Sequence, residues 1–124
     1  MGIKVAELMV PRVLVAQPTD EVAYVREIMR GQGFHAVPVI DDEDRPAGII
    51  TSNDLIDAPR DDMEVGDVMR KTPPAVEQDA PIHVAARMMR EQHVHHLLVM
   101  EDGEIVGILS SLDLLRVIED EGPA

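Results

Sequence analysis

The chain has 124 residues, 45% of them apolar, and a formal net charge of −13, a surface that repels phosphate backbones and anionic lipid and so argues against nucleic acid and membrane as partners. The lack of cysteine excludes disulfides, thiolate metal sites and a cysteine nucleophile. Met1 to Val10 carry no apolar signal core, and no apolar run approaches the roughly 18 residues needed to span a bilayer, so a soluble, cytoplasmic protein is expected.

Helical spacing starts at Val22 and continues through Val25, Ile28 and Met29. Thr19 or Asp20 is the expected N-cap, and Gly31 and Gly33 are expected to stop the helix. Residues 34–40, β-branched at Val37, Val39 and Ile40, read as a strand. The acidic stretch 41–46 is a turn, best read as a solvated hairpin and too short and irregular for a calcium loop. A second strand over 47–51 leads into a short helix over 52–57. Residues 58–62, with Pro59, form a linker. The pattern then returns. Asp79 is the expected cap, and Pro81 falls in the first turn of a helix whose apolar stripe is Ile82, Ala85, Met88 and Met89. Strands over 95–100 and 105–110 flank an Asp102-Gly103 hairpin turn, and a helix over 111–118 closes the pattern.

This is an internal repeat. Val5 and Met9 return as Val65 and Met69, Met29-Arg30 as Met89-Arg90, Gln32 as Gln92, His35 as His95 and Val39 as Val99, each sixty residues on. Past the turn at 41–47 the spacing is fifty-nine: Gly48-Ile49, Ser52 and Asp54-Leu55 return as Gly107-Ile108, Ser111 and Asp113-Leu114. A register break inside a turn is what a structural duplication produces, because loops tolerate insertion. The repeats are read as 1–57 and 63–124. A unit of under about sixty residues buries too little surface to stand comfortably alone, so the two are expected to pack together. With almost no aromatic residues, the core falls to Val, Ile, Leu, Ala and Met. Met29, Met88 and Met89 are read as core or interface side chains.

Each repeat ends its second strand alike, in Gly48-Ile49-Ile50-Thr51-Ser52-Asn53-Asp54 and in Gly107-Ile108-Leu109-Ser110-Ser111-Leu112-Asp113. Thr/Ser-x-x-Asp where a strand hands over to a helix is a capping box, and on the motif alone it need do nothing more. It also suits a ligand. Amides at a helix start are expected to be unpaired and partly positive, which favours an anion. An Asp one turn along offers two acceptor oxygens to neighbouring ribose hydroxyls, as an acidic residue does in dinucleotide folds.

The doubled motif, in register with the Met9 and Met69 segments and the Ala36-Val37-Pro38-Val39 strand, resembles the CBS domain, and the tandem resembles a CBS pair over about residues 3–118. The resemblance implies an α+β fold of two tandem βαββα repeats packed face to face with pseudo-two-fold symmetry. It implies a regulatory module that catalyses nothing and has no catalytic cofactor. Its ligand would be AMP, ADP or ATP, or a related adenosine compound such as NAD or S-adenosylmethionine, held in the cleft between repeats. By resemblance, Ile49, Thr51 and Asp54 face His95, His96 and Leu97, with Lys71 and Thr72 nearby. Ile108, Ser110 and Asp113 face His35, Ala36 and Val37, with Arg12 nearby. Arg116 could reach phosphates where its counterpart Asp57 could not, which makes the Asp113 site the better phosphate site. Leu98 departs from the repeat by replacing the proline kept at Pro38. The family also implies a homodimer, for which the aliphatic and Met-rich helix faces are suited, and a protein regulated in trans.

Two other classes compete with the sensor. One is a structural dimerisation module whose motifs only cap helices. The other is an enzyme, against which stands the absence of Gly-x-Ser-x-Gly, a Walker loop and His-Glu-x-x-His. A metal site built on His83, His93, His95 and His96 is a remote alternative, since no acidic partner stands at a recognisable ligand spacing.

Overall fold

The computed structural model describes residues 2–11, 14–56, 58 and 60–120. In chain order its elements are α1 (Val5–Leu8), β1 (Val10–Pro11), α2 (Val22–Gln32), β2 (Ala36–Ile40), β3 (Pro46–Thr51), α3 (Ser52–Ile56), a 3-10 turn at Val65–Asp67, β4 (Ala75–Glu77), α4 (Ile82–Gln92), β5 (His96–Glu101), β6 (Glu104–Ser110) and α5 (Ser111–Asp120). They form two compact units, Val13–Pro73, and Met1–Arg12 with Pro74–Ala124. These units do not coincide with the sequence repeats. The segment that leads repeat one folds with repeat two, and the segment that leads repeat two stays with repeat one.

In the unit Val13–Pro73, β2 and β3 form an antiparallel hairpin with Ala36 opposite Thr51 and Pro38 opposite Ile49. Ala16 bridges Val39 on one edge, and Arg70 bridges Ile49 on the other. The α2 stripe of Val22, Val25, Ile28 and Met29 packs on Val37, Val39 and Ile50, with Ala16, Leu55 and Val65 in the same buried cluster. Fully burying one such side chain contributes about 1.5–3 kcal/mol, so this stripe, more than helix propensity, holds α2 in place. Arg26 ties the unit together: it donates to the Leu55 carbonyl at the end of α3 and to Asp61 beyond it, both at 2.9 Å.

The second unit builds a fuller version of the same sheet, in the order β1-β6-β5-β4. β1 runs antiparallel to β6 with Val10 opposite Ile108, while β4 runs parallel to β5. Val5, Leu8, Val76, Ala85, Met89, Leu97, Val99 and Leu109 form its core. Here the departure at Leu98 has a physical account: its N–H donates to the Pro74 carbonyl at 2.9 Å, a bond that Pro38 cannot make. The parallel pairing extends to three residues in this unit and shrinks to the single bridge at Ala16 in the other.

The glycines and methionines that repeat together also pack together. A Cβ on Gly48 would lie 2.6 Å from the Arg70 carbonyl oxygen and 2.6 Å from the Met69 sulfur. On Gly107 it would lie 2.7 Å from the Val10 carbonyl oxygen and 2.7 Å from the Met9 sulfur. The edge segment lies so close to the strand that only glycine fits.

Several helix ends differ from expectation. The N-cap of α2 is Glu21, with no side-chain cap bond, and Asp20 instead accepts the Gln17 N–H at 2.8 Å. Pro81 occupies the N-cap of α4 rather than its first turn, and Asp79 lies before it. The start of α2 is fixed by backbone partners: the Val22 N–H donates to the Met63 carbonyl and the Ala23 N–H to the Asp61 carbonyl. Gly31 is an ordinary helical residue, and Gly33 alone ends α2, in the left-handed region at φ 70°. His93 takes the equivalent position in α4 at φ 56°.

Candidate functional site

The two Thr/Ser-x-x-Asp motifs stand at matching turns, β3 into α3 and β6 into α5. Both are capping boxes. Asp54 Oδ2 accepts the Thr51 N–H at 2.8 Å and the Thr51 hydroxyl at 3.0 Å, while the Asp54 N–H points to Thr51 Oγ1 at 3.4 Å. Asp113 Oδ2 accepts the Ser110 N–H at 2.8 Å, and the Asp113 N–H donates to Ser110 Oγ at 3.2 Å. A carbonyl from the neighbouring strand's approach takes the next amide. Ser52 N–H donates to the His35 carbonyl and Ser111 N–H to the His95 carbonyl, both at 2.9 Å.

This corrects the expectation of unpaired amides at these helix starts. The first and third amide of each helix are already partnered, so the backbone offers an anion little. The carboxylates keep more capacity. Each cap uses Oδ2, and Oδ1 of each Asp lies outside the box.

The strand alternation sorts the remaining candidates. Val37 and Leu97 are fully buried in their own cores, each at 0% solvent exposure, so their side chains serve packing. Ala36, Ile49 and Thr51 share the opposite face of the hairpin in the unit Val13–Pro73, and His96, Ile108 and Ser110 the opposite face in the second unit. Pro38 and Leu98 belong to those same faces. Sequence reasoning missed both as site candidates, although counting by twos from Ala36 and His96 finds them. Lys71 and Thr72 are exposed and follow Arg70, whose backbone exchanges hydrogen bonds of 2.9 and 3.0 Å with Ile49. They therefore belong to the unit of Thr51 and Asp54. His35 and His95 are exposed, and His96 is half-buried. Arg116 lies beside Asp113, its guanidinium 3.8 Å from Oδ1. Arg12 and Asp57 lie outside the described residues.

The structure thus groups Ile49, Thr51, Asp54, Lys71, Thr72, His35, Ala36 and Val37 in one unit, and Ile108, Ser110, Asp113, Arg116, His95, His96 and Leu97 in the other. Among the described residues no group of three His, Asp or Glu side chains is placed to hold a metal ion, and no helix is long and apolar enough to cross a membrane.

Two tandem βαββα repeats with a Thr/Ser-x-x-Asp turn in each define a class, and the comparison with protein families assigns it: the CBS domain family matches twice, at residues 5–61 and 65–120. The chain belongs to the CBS domain family and is a tandem CBS pair. An uncharacterized 17.7 kDa protein of Acidianus ambivalens is 31% identical over 124 residues, covering 97% of this chain and 76% of its own length. An inosine-5'-monophosphate dehydrogenase of Methanocaldococcus jannaschii is 28% identical over 114 residues, which cover 91% of this chain. The match spans only 23% of that enzyme, and 63% of an uncharacterized Methanopyrus kandleri protein that is 27% identical over 123 residues. Among solved structures, a CBS domain protein of Pyrobaculum aerophilum complexed with AMP is 26% identical, with a TM-score of 0.85 over 96% of this chain and 97% of its own. The CBS domain pair of protein MJ0100, in complex with 5'-methylthioadenosine and S-adenosylmethionine, has a TM-score of 0.92 over 98% of this chain and 100% of its own, at 20% identity.

Proposed function

We propose that this CBS pair is a regulatory ligand-sensing module that binds an adenosine compound, AMP, ADP or ATP foremost, and catalyses nothing itself. The observation that carries the reading is the doubled Thr/Ser-x-x-Asp turn. In each, a carboxylate is held rigid by one oxygen while the other stays outside the cap, the arrangement a ribose diol needs. The complex of the Pyrobaculum relative with AMP supports the choice of ligand. Ile49, Thr51, Asp54, Lys71 and Thr72 are the binding groups in one unit. Ile108, Ser110, Asp113 and Arg116 are those of the other, joined by the strand starts at His35-Ala36-Val37 and His95-His96-Leu97 and by Arg12. NAD and S-adenosylmethionine are the alternative ligands. The module acts in the cytoplasm on a protein partner in trans.

A thermal-shift series with adenosine, AMP, ADP, ATP, NAD and S-adenosylmethionine tests this. A ligand at about 100-fold over its Kd adds about 2.7 kcal/mol, worth several degrees at this size. The shift is expected to vanish in Asp54→Ala, Asp113→Ala or both.

The completed capping boxes favour a second reading, a scaffold whose motifs only start helices. No shift with any compound would establish it. Both readings include a homodimer. Leu112, Leu115 and Ile118 lie on one face of α5 with 66%, 54% and 67% exposure, while Leu114 and Val117 on its other side meet the core. Leu115→Glu is expected to leave a monomer in sedimentation; a wild-type monomer would refute the dimer.

A further inference from the structure

We infer that the Met9 and Met69 thioethers are a matched pair of oxidation sites, at which hydrogen peroxide loosens one strand edge in each unit. The two sulfurs occupy the same place in the two units. A Cβ on Gly48 would lie 2.6 Å from the Met69 sulfur and 2.6 Å from the Arg70 carbonyl oxygen, and one on Gly107 would lie 2.7 Å from the Met9 sulfur and 2.7 Å from the Val10 carbonyl oxygen. Sulfur and carbonyl thus share the space above a glycine, and that carbonyl belongs to an edge pairing. Arg70 and Ile49 exchange backbone hydrogen bonds of 2.9 and 3.0 Å, and Val10 stands opposite Ile108. Met9 and Met69 are half-buried, so a small oxidant reaches them, whereas Met29 and Met89 lie in the cores at 8% and 6% exposure.

Peroxide oxidises the sulfur by two electrons: an S–O bond forms, the O–O bond breaks, and the second oxygen leaves as water with both protons. A polar sulfoxide replaces an apolar, adaptable side chain. Its oxygen only accepts hydrogen bonds, as does the strand carbonyl beside it, so neither satisfies the other. The glycine has no side chain to shift aside, and its open face is already filled by sulfur and carbonyl. The oxidised side chain therefore has to turn outward. That uncovers the cluster it packs against: Met69 on that of Val37, Val39 and Ile50, and Met9 on that of Leu97, Val99 and Leu109. Water then competes for the pairing at each edge. One loosened segment is β1, and the other is the stretch 69–72, which runs on from Arg70 into Lys71 and Thr72.

Treatment of the folded chain with dilute hydrogen peroxide tests the inference, read by peptide mass spectrometry, amide hydrogen exchange and Tm. The wild type is compared with Met9→Leu, Met69→Leu and the double variant, since leucine keeps nearly the same volume and offers no sulfur. In the wild type, one added oxygen is expected at Met9 and one at Met69. The Tm should fall by several degrees, and exchange should quicken about tenfold or more at Val10 and Ile108 and at Ile49 and Arg70. In Met9→Leu only the Arg70 edge should loosen, and in Met69→Leu only the Val10 edge. The double variant should keep its Tm under peroxide, although Met63, Met88 and Met100, also half-buried, remain. A fall as large in the double variant as in the wild type overturns the inference. So does oxidation of Met9 and Met69 that leaves exchange at both edges unchanged, or a folded wild type in which neither is oxidised. The exchange measurement on the wild type decides the matter even where a leucine variant fails to fold.

Discussion

At Gly48 and Gly107 the absence of a side chain is the structural feature, because a backbone carbonyl occupies the space a Cβ would need, at 2.6 and 2.7 Å. Gly48→Ala and Gly107→Ala are each expected to cost about 1–3 kcal/mol by overpacking, read as a lowered Tm. Gly31→Ala is the control: it lies inside α2 with nothing within 4 Å of the added atom, and should gain up to about 1 kcal/mol. His93 is the reverse case. It holds at φ 56° the position that Gly33 fills in the first repeat at φ 70°. A side chain there is strained by about 1 kcal/mol, so His93→Gly should raise the Tm by a few degrees. Read as a helix end, His93 needs no metal to explain it. The sequence showed both glycine-methionine pairs by their repetition. It did not show that they touch, because Met9 precedes Gly107 by most of the chain, and that contact depends on the fold.

At the scale of elements, the hairpin and helix stripes were legible because alternation and 3.6-residue spacing are local. The caps of the helices that begin at Val22 and Ile82 were not. Thr19, Asp20 and Asp79 are good N-caps by composition, yet α2 and α4 begin after Glu21 and Pro81. The amides of Val22 and Ile82 find carbonyls at Met63 and Ile3, partners too far along the chain for any capping rule to see. The same limit hid the His35 and His95 carbonyls that use up the amides at the motif turns. The acidic turn, by contrast, organises itself. Asp41 Oδ1 accepts the Glu43 and Arg45 amides at 2.8 and 2.9 Å. The Arg45 amide, the largest influence, holds the Asp41 carboxyl below its ordinary value; desolvation opposes it, and the Glu43 amide and the Arg45 guanidinium add to the lowering. A depressed folded-state pKa means stability that is present above the ordinary aspartate range and is lost as pH falls through the folded value. The Tm difference between wild type and Asp41→Ala should therefore be largest near neutral pH and shrink as the pH drops below that range. A difference constant from neutral to acid pH would show that the turn owes nothing to the charge.

For the whole molecule, the duplication settles the family, and the charge decides the conditions under which it is stable. Twenty-four acidic side chains face eleven basic ones, giving a net charge of −13. Ion pairs such as Arg30 with Glu27 and Arg60 with Asp62 are exposed, and pairs of that kind contribute about 0–1 kcal/mol each. Screening them therefore removes little. Screening the excess acid removes more, because folding brings those charges together and the unfolded chain spreads them apart. At about 0.01 M ionic strength the Debye length is roughly 30 Å, and acids across a unit repel one another; at about 0.15 M it is roughly 8 Å, and only near neighbours do. The Tm is accordingly expected to rise with sodium chloride over this range, opposite in sign to a protein held by its surface ion pairs. Under the proposed function, AMP binding should weaken over the same range, since contacts to its phosphate are screened. Salt thus separates two effects that a single melting curve would merge. Tm without ligand should climb while the ligand-induced shift declines, and a falling ligand-free Tm would mean that the ion pairs outweigh the excess charge.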